Sequence, residues 1–164
     1  MLPFYASANA QAISPYPALK KGLWEIVTTD SSSPDFKATE LRCVGGANQE
    51  RRTAKKEFAD EIKNCRVLTS TSSKEKISLV RECKKDGGLI MTLKINIEGN
   101  FSSRFERSAN PSFNIPTGLE GLTHTTIYRF VGACPKSMKA GDTITTYPDG
   151  GSSNLWNRYS IRKQ

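Results

Sequence analysis

The sequence predicts a mainly β protein, an antiparallel sheet of about seven strands curled into a barrel or sandwich, with one surface helix and disulfide staples. Three observations support this fold class. Apolar and polar residues alternate with a period of two over much of the chain. Polar or glycine-containing stretches separate these runs, as turns separate the strands of hairpins. Nothing in the sequence repeats the strand, helix, strand pattern of a parallel sheet.

The first two strands are predicted on either side of a serine-rich turn. Residues Gly22–Thr29 combine a tryptophan with β-branched residues, a composition typical of a strand. Asp30–Asp35 contains three serines and a proline, which favour a turn. Lys37–Val44 is then expected to return as the second strand, carrying Cys43.

One segment has a helical period. Ala54, Phe58 and Ile62 recur every four residues among charged and amide side chains, which predicts a helix over residues 48–62. Asn48 is suited to be its N-cap. Because the apolar stripe is narrow, we expect this helix on the outside of the sheet.

The middle of the chain predicts a hairpin followed by a long strand. Cys65–Ser70 and Ile77–Cys83 both alternate, and the polar stretch Ser72–Lys74 between them is typical of a turn. In Leu89–Glu98 the odd-numbered residues are apolar, which predicts one buried and one solvent-facing side. We expect Cys65 and Cys83 to point into the core, since each shares its face with apolar residues.

The next hairpin partner is predicted directly after this strand. Gly99-Asn100 favours a tight turn. It leads into residues 101–108, where Phe101, Ser103 and Phe105 alternate onto the inner face. This strand should therefore pair with the preceding one.

The last third of the chain is predicted to hold fewer strands. Residues 109–121 contain two prolines and two glycines and are interpreted as a loop. Thr123–Val131 is rich in threonine and β-branched or aromatic residues and predicts a strand. The tail from Pro135 is turn-rich, with a hairpin tip at 147–151 before a short strand over 155–161.

The N-terminus indicates export. Ala8-Asn9-Ala10 and Ala10-Gln11-Ala12 place small residues as signal-peptide cleavage sites do, although the positive and apolar parts of a complete signal are missing. We interpret residues 1–17 as a signal-peptide remnant and flexible N-terminus, and residues 18–164 as a single β-rich domain. No apolar run reaches membrane-spanning length, so no membrane span is expected.

The charge of the chain favours anionic partners only weakly. The formal net charge is +8 and the isoelectric point about 9.4. The basic residues occur as scattered doublets rather than as one stripe, which favours a solvated surface with possible contact to an anionic one. Nucleic acid is not an expected partner, because an exported protein does not normally meet it.

The four cysteines are predicted to form two disulfides. Cys43, Cys65, Cys83 and Cys134 lie 22, 18 and 51 positions apart with one histidine in the chain, which does not match the spacing of zinc ligands or of a C-x-x-C redox site. No metal or other cofactor is therefore expected. Pairing Cys43 with Cys65 and Cys83 with Cys134 is the first choice. Pairing Cys65 with Cys83 across their hairpin, and Cys43 with Cys134, is the alternative.

No catalytic constellation stands out. His124 lacks a G-x-S-x-G nucleophile motif or an adjacent carboxylate. Asp35, Asp142 and Asp149 lie in turn sequences, where aspartate is favoured for its bonds to the backbone. No phosphate-binding glycine motif is present. We therefore expect a protein that is not an enzyme.

Two further groups of residues are candidates for binding or modification. Asn100-Phe101-Ser102 matches an N-glycosylation acceptor. Several aromatic residues have the composition either of a filled core or of a ligand cavity. They are Trp24, Phe101, Phe105, Tyr128, Phe130 and Trp156.

The chain resembles a family of exported proteobacterial proteins, domain of unknown function 3617. The resemblance rests on Gly22-Leu23-Trp24-Glu25, on the spaced cysteines, and on Gly132-Ala133-Cys134 followed by Gly141-Asp142. It implies a small, mostly β, periplasmic or secreted protein with structural cysteines and with Trp24 as a core anchor. It implies no reaction.

Two functional hypotheses follow. The first is a non-enzymatic periplasmic protein that binds a small apolar ligand in a barrel mouth or an envelope component on its basic surface. The second is an uncharacterised envelope hydrolase, or an inhibitor of one, in which His124 or a turn aspartate acts from a loop. The geometry around His124 distinguishes them, since catalysis needs a nucleophile and a carboxylate within reach.

Overall fold

The computed structural model describes residues 16–46, 65–84, 86–118 and 120–147, which form one antiparallel sheet. Within these ranges the sheet has eight strands, against the expectation of about seven. In chain order they are β1 Gly22–Asp30, β2 Ser33–Val44, β3 Cys65–Ser72, β4 Lys76–Lys84, β5 Ile90–Asn100, β6 Arg104–Phe113, β7 His124–Gly132 and β8 Thr143–Thr146.

The sheet is open rather than closed. Its strand order is β3-β4-β5-β6-β7-β1-β2-β8, so that β3 and β8 are its two edges. A barrel requires the outermost strands to pair with each other. Among the described residues they do not, and the predicted barrel or sandwich is replaced by a single open sheet. No helix in this part of the chain is long and apolar enough to cross a membrane.

One face of the sheet carries the core, as the alternation in β5 predicts. Leu93, Ile95 and Ile97 of this strand are buried, whereas Lys94 and Glu98 are exposed on the opposite side. Buried side chains on the same side of neighbouring strands continue the apolar surface, which we call the core face. Its buried members are Leu19, Trp24, Ile26, Val44, Ile77, Leu79, Leu93, Ile95, Ile97, Phe105 and Ala109.

The prediction of a loop over residues 109–121 is wrong at its start. Strand β6 continues to Phe113 and pairs with β5 through Pro111, opposite Leu93. Proline has no backbone N–H, so in a strand with partners on both sides it leaves one hydrogen bond of the ladder unmade. It is tolerated here because β7 pairs with β6 only as far as Ala109, which leaves the last residues of β6 with a partner on one side.

The tail contains a strand that its turn-rich composition hides. Strand β8 pairs with β2, placing Ile144 opposite Leu41. It is short, and the residues before it form turns, so the alternation of Thr143–Thr146 is too brief to stand out. The predicted helix over 48–62 and the predicted strand over 155–161 lie outside the described residues.

The prediction of two disulfides is confirmed, but the first choice of pairing is wrong. Cys65 bonds Cys83 and Cys43 bonds Cys134. The β3–β4 hairpin places the first two directly opposite each other. Cys43 instead exchanges backbone hydrogen bonds with the loop after Cys134, accepting from Gly141 N and donating to Asp142 O. Strand pairing therefore decides the Cys65–Cys83 bond, and the contact of β2 with the loop after Cys134 accompanies the Cys43–Cys134 bond.

The expectation that Cys65 and Cys83 both point into the core holds only for Cys83. Cys83 is 2% exposed, because β4 has neighbours on both sides. Cys65 is half-buried and Val67, on the same face, is 41% exposed. Alternation places a side chain on a face, but an edge strand has too few neighbours to bury it.

Candidate functional site

The core face is an apolar surface formed by eleven buried side chains of the described residues. Leu79, Ile95 and Ile97 on its β4–β5 side are each 1% exposed. A single layer of strands buries one of its own faces only where other groups lie on it. Leu19 is the buried member of this cluster that lies outside the strands, and Tyr16 packs against the cluster. Residues 16–20 therefore supply part of the cover.

Trp24 fixes residues 16–20 to the sheet. Its side chain is fully buried, and its Nε1 donates a hydrogen bond of 2.9 Å to the carbonyl of Lys20. Its ring meets those of Phe105 and Phe130 edge-on, at centroid distances of 6.1 and 5.5 Å. The tryptophan therefore holds together β1, β6, β7 and the segment that enters β1.

Five of the six aromatic residues singled out in the sequence meet on this side of the sheet. Phe105 stacks on Tyr128 at 4.4 Å and contacts Phe101 edge-on. Phe101, Tyr128 and Phe130 are partly buried and pack against the core cluster. The core face thus has a sealed aliphatic part and an aromatic part that is half open. Trp156 lies outside the described residues.

Two cations lie over aromatic rings on the core-face side. The Lys20 Nζ is 3.6 Å from the centre of the Phe130 ring, and the Arg107 guanidinium carbon is 5.6 Å from that of Tyr16. Arg107 pairs with Ile97 across the β5–β6 ladder and is half-buried. The continuing alternation of β6 after Phe105 is the sequence signal that could have identified Arg107; nothing comparable marks Lys20.

Other charged groups share this face. Arg81 is 6% exposed, opposite Leu93 on β5. Arg42, opposite Trp24 on β2, forms a 2.7 Å ion pair with Glu40. An arginine keeps its charge at any physiological pH. The apolar surface therefore carries an arginine on β4 and another on β2, the second of which is neutralised by Glu40.

His124 does have a carboxylate partner, supplied by β1. Its Nδ1 lies 2.7 Å from Oδ2 of Asp30, opposite it on the neighbouring strand. The other oxygen of Asp30 accepts hydrogen bonds from the N–H and hydroxyl of Ser32. The Ser32 hydroxyl, then its N–H, and more weakly the charge of His124 hold the pKa of Asp30 below its ordinary value.

A nucleophile is missing from this pair. In the described part of the chain, no serine, threonine or cysteine hydrogen-bonds to the His124 ring, whose side chain is 47% exposed. Asp142 accepts from Lys139 N and Asp35 is exposed, so neither joins His124. Asp149 lies outside the described residues. Within them, no three histidine, cysteine, aspartate or glutamate side chains are grouped to hold a metal ion.

The glycosylation-like triplet lies at the β5–β6 turn. Asn100 is exposed, and its Oδ1 accepts hydrogen bonds from the N–H and the hydroxyl of Ser102. Phe101 between them is half-buried against the core cluster. The triplet therefore forms an Asx turn, in which the Asn100 side chain bonds to Ser102, and its phenylalanine packs against the sheet.

An open antiparallel sheet with two disulfides and one apolar face defines the class: a disulfide-stapled β protein without an assembled catalytic centre among its described residues. The family model described as "Protein of unknown function (DUF3617)" matches residues 19–134, which is more than half of the chain. The chain belongs to this family, as its motifs indicate. No curated protein and no solved structure matches it.

Proposed function

We propose that this protein is a non-enzymatic binding protein of the periplasm or extracellular space, and that its core face holds an anionic amphiphile with a hydrocarbon chain. The observation that carries the proposal is the open sheet with one apolar face. Eight strands are separated by seven gaps of about 4.8 Å, so the sheet is roughly 34 Å across. The aliphatic part of the face is closed, since Ile95 and Ile97 are each 1% exposed, so the chain would enter at the half-open aromatic part, where Phe101, Tyr128 and Phe130 are only partly buried.

The charges beside the face select the class of ligand. Lys20 and Arg107 lie over rings at the half-open aromatic part of the face. An apolar site with a few placed polar groups orients its ligand through those groups. Two cations beside an apolar surface favour a carboxylate or phosphate head group over a neutral one.

Two disulfides support the proposed compartment. Disulfides persist in oxidising compartments and are rare in reducing ones. The small residues at 8–12, placed as cleavage sites are, support the same assignment. A free amphiphile in such a compartment needs a carrier or a membrane, because its hydrocarbon chain costs about 0.8 kcal/mol per CH₂ in water.

The proposal is tested by titrating delipidated protein with 11-(dansylamino)undecanoic acid, whose emission rises in an apolar site. We expect saturable binding of one probe, displaced by dodecanoate better than by dodecanol. Arg107→Glu should weaken the affinity about tenfold, since it reverses a charge on the core face. Arg104→Glu is the matched control, because Arg104 lies on the same strand but its alternation turns it to the opposite face.

Two results would contradict the proposal. One is no saturable rise in emission up to about 100 μM probe, the range where a weak specific site still binds. The other is equal loss in Arg107→Glu and Arg104→Glu, which would indicate nonspecific attraction to net positive charge.

The Asp30–His124 pair favours a second candidate, hydrolysis. A carboxylate at Nδ1 orients an imidazole as general base toward a nucleophile at Nε2. A generic ester such as p-nitrophenyl acetate tests it. Turnover that His124→Ala abolishes, with folding intact, would favour the hydrolase. If the wild type turns over the ester no faster than His124→Ala does, the hydrolase candidate is excluded.

A further inference from the structure

Strand β3 is an exposed edge of the sheet. Seven of its eight residues are exposed, including Val67 at 41% and Leu68 at 45%. Within the described ranges, no strand lies beyond it in the sheet order. An exposed edge strand presents backbone N–H and C=O groups that another strand can pair with.

The register shows which backbone groups of β3 face outward. Ser73 N donates to Lys76 O across the turn, which makes this a hydrogen-bonded pair, and such pairs alternate along an antiparallel ladder. The Cα atoms of Cys65 and Cys83 are only 3.9 Å apart, which fits a non-hydrogen-bonded pair, in which the Cα atoms lie closer together. By this alternation the N–H and C=O of Val67, Ser70 and Ser72 point away from β4.

Both ends of this edge are held in place. The Cys65–Cys83 disulfide ties its first residue to β4. At the other end the Ser73 hydroxyl donates to Lys76 O and accepts from Lys76 N. A strand that is already ordered loses little conformational freedom when a partner binds.

Strand β3 carries few of the features that protect edges. It contains no proline or lysine, and its one charged residue, Arg66, forms an ion pair with Glu82. The register shifts by one residue between Val67 and Thr69. This bulge interrupts the ladder but leaves outward groups on both sides of it.

The charge of the hairpin selects the partner. Residues 65–84 contain five lysines or arginines and two glutamates, a net charge of +3, which the Glu98 carboxylate paired with Lys76 lowers to +2. A second copy of this chain would bring one basic hairpin against another, and like charges side by side oppose pairing. An acidic strand is attracted to the same edge.

We propose that β3 accepts an extended, acidic segment of a partner protein, which adds to the sheet as a further strand. Its backbone would pair with Val67 on one side of the bulge and with Ser70 and Ser72 on the other. Such strand addition takes its affinity from main-chain hydrogen bonds and its specificity from alternate side chains. The surface is separate from the core face, and its occupation does not depend on a ligand there.

The probe is an eight-residue peptide of alternating threonine and glutamate, with a lysine-for-glutamate peptide as its counterpart. Residue-resolved amide exchange of the full chain is the readout. We expect the acidic peptide to slow exchange at Val67, Ser70 and Ser72 by about tenfold or more at saturation. The basic peptide should leave these amides unchanged.

Two substitutions test the site. Val67→Glu places a negative charge on the edge and should weaken the acidic peptide about tenfold. Ile144→Glu is the matched control, because Ile144 is also 41% exposed but lies on the opposite edge strand. It should change the affinity less than about twofold, and it reports any general effect of the added charge.

Three outcomes would overturn the proposal. The acidic peptide could leave exchange at β3 unchanged. Val67→Glu and Ile144→Glu could weaken binding of the acidic peptide equally. Sedimentation could show that the chain alone dimerises and that Val67→Glu abolishes the dimer, which would make the occupant of this edge a second copy.

Discussion

At the scale of single residues, Trp24 connects more of the molecule than any sequence motif suggests. Its ring packs against Phe105 and Phe130, and its Nε1 ties Lys20 to the sheet. The same contacts set Lys20 over the Phe130 ring. One buried side chain thus supports both the core and the half-open aromatic part of the core face.

Replacing this tryptophan should be costly. Trp24→Phe removes the hydrogen bond to Lys20 O and leaves a small cavity, so we expect the free energy of unfolding to fall by about 2–3 kcal/mol. Urea unfolding followed by circular dichroism measures it. Val131→Ala, at a side chain that is 51% exposed, should change it by about 0.5 kcal/mol or less. Similar losses in both variants would mean that Trp24 is not an anchor.

Asp30 provides a test of local electrostatics. Because the Ser32 hydroxyl is the largest cause of its lowered pKa, Ser32→Ala should raise the pKa of Asp30 toward 3.8. Carboxyl-resolved NMR titration measures the shift. A carboxylate whose pKa is lowered on folding stabilises the protein fully above 3.8, and this contribution is lost as the pH falls through the lowered value. An unchanged pKa in Ser32→Ala would contradict the hydrogen-bond geometry.

At the scale of elements, the β5–β6 hairpin depends on a glycine. Gly99 has a φ of +128°, and a Cβ there would lie 2.7 Å from Arg104 O. Gly99→Ala should therefore lower the free energy of unfolding by about 1–3 kcal/mol. Gly46→Ala is the control, since a Cβ at Gly46 would meet nothing within 4 Å. Equal stability of the two variants, measured by chemical unfolding, would refute this description of the hairpin.

The two disulfides should contribute unequally. Their sequence separations are 91 for Cys43–Cys134 and 18 for Cys65–Cys83. In the chain-entropy model these loops correspond to about 4.5 and 3 kcal/mol. The double variant Cys43→Ala/Cys134→Ala should therefore unfold at lower urea concentration than Cys65→Ala/Cys83→Ala. The reverse order would show that native-state effects outweigh chain entropy.

Elements were predictable where the chain alternates strongly and is central in the sheet. The faces of β5 follow from its period of two, and β1 and β7 from their composition. Strand β6 beyond Ala109 was not predictable, because its proline is tolerated only where β7 has ended. Strand β8 was not predictable either, because a strand of four residues shows too few alternations of apolar and polar residues.

At the scale of the whole molecule, the sequence could not decide whether the sheet closes. Closure depends on whether β3 and β8 meet, which is a property of curvature and stagger rather than of any residue pattern. The disulfide pairing follows from the same long-range arrangement. Cysteine spacing left it open, and the register of β3 against β4 decides it.

The candidate site was predictable only as a set of residue types. The aromatic residues were visible in the sequence, but their grouping with Lys20 and Arg107 requires β1, β6 and β7 to be neighbours. Likewise, the carboxylate partner of His124 comes from 94 positions earlier in the chain, through the pairing of β1 with β7. Chemistry that depends on long-range pairing carries no local signal.

The central claim is that the core face holds the hydrocarbon chain of an anionic amphiphile. Methyl-resolved NMR with a doxyl-labelled fatty acid tests it most directly, because the spin label broadens only nearby signals. We expect broadening of the methyl signals of Ile95 and Ile97 on the core face. The methyl signals of Ile144, which is exposed on the opposite face of the sheet, should be unaffected. Broadening of Ile144 alone, or no broadening at saturating fatty acid, would contradict the account.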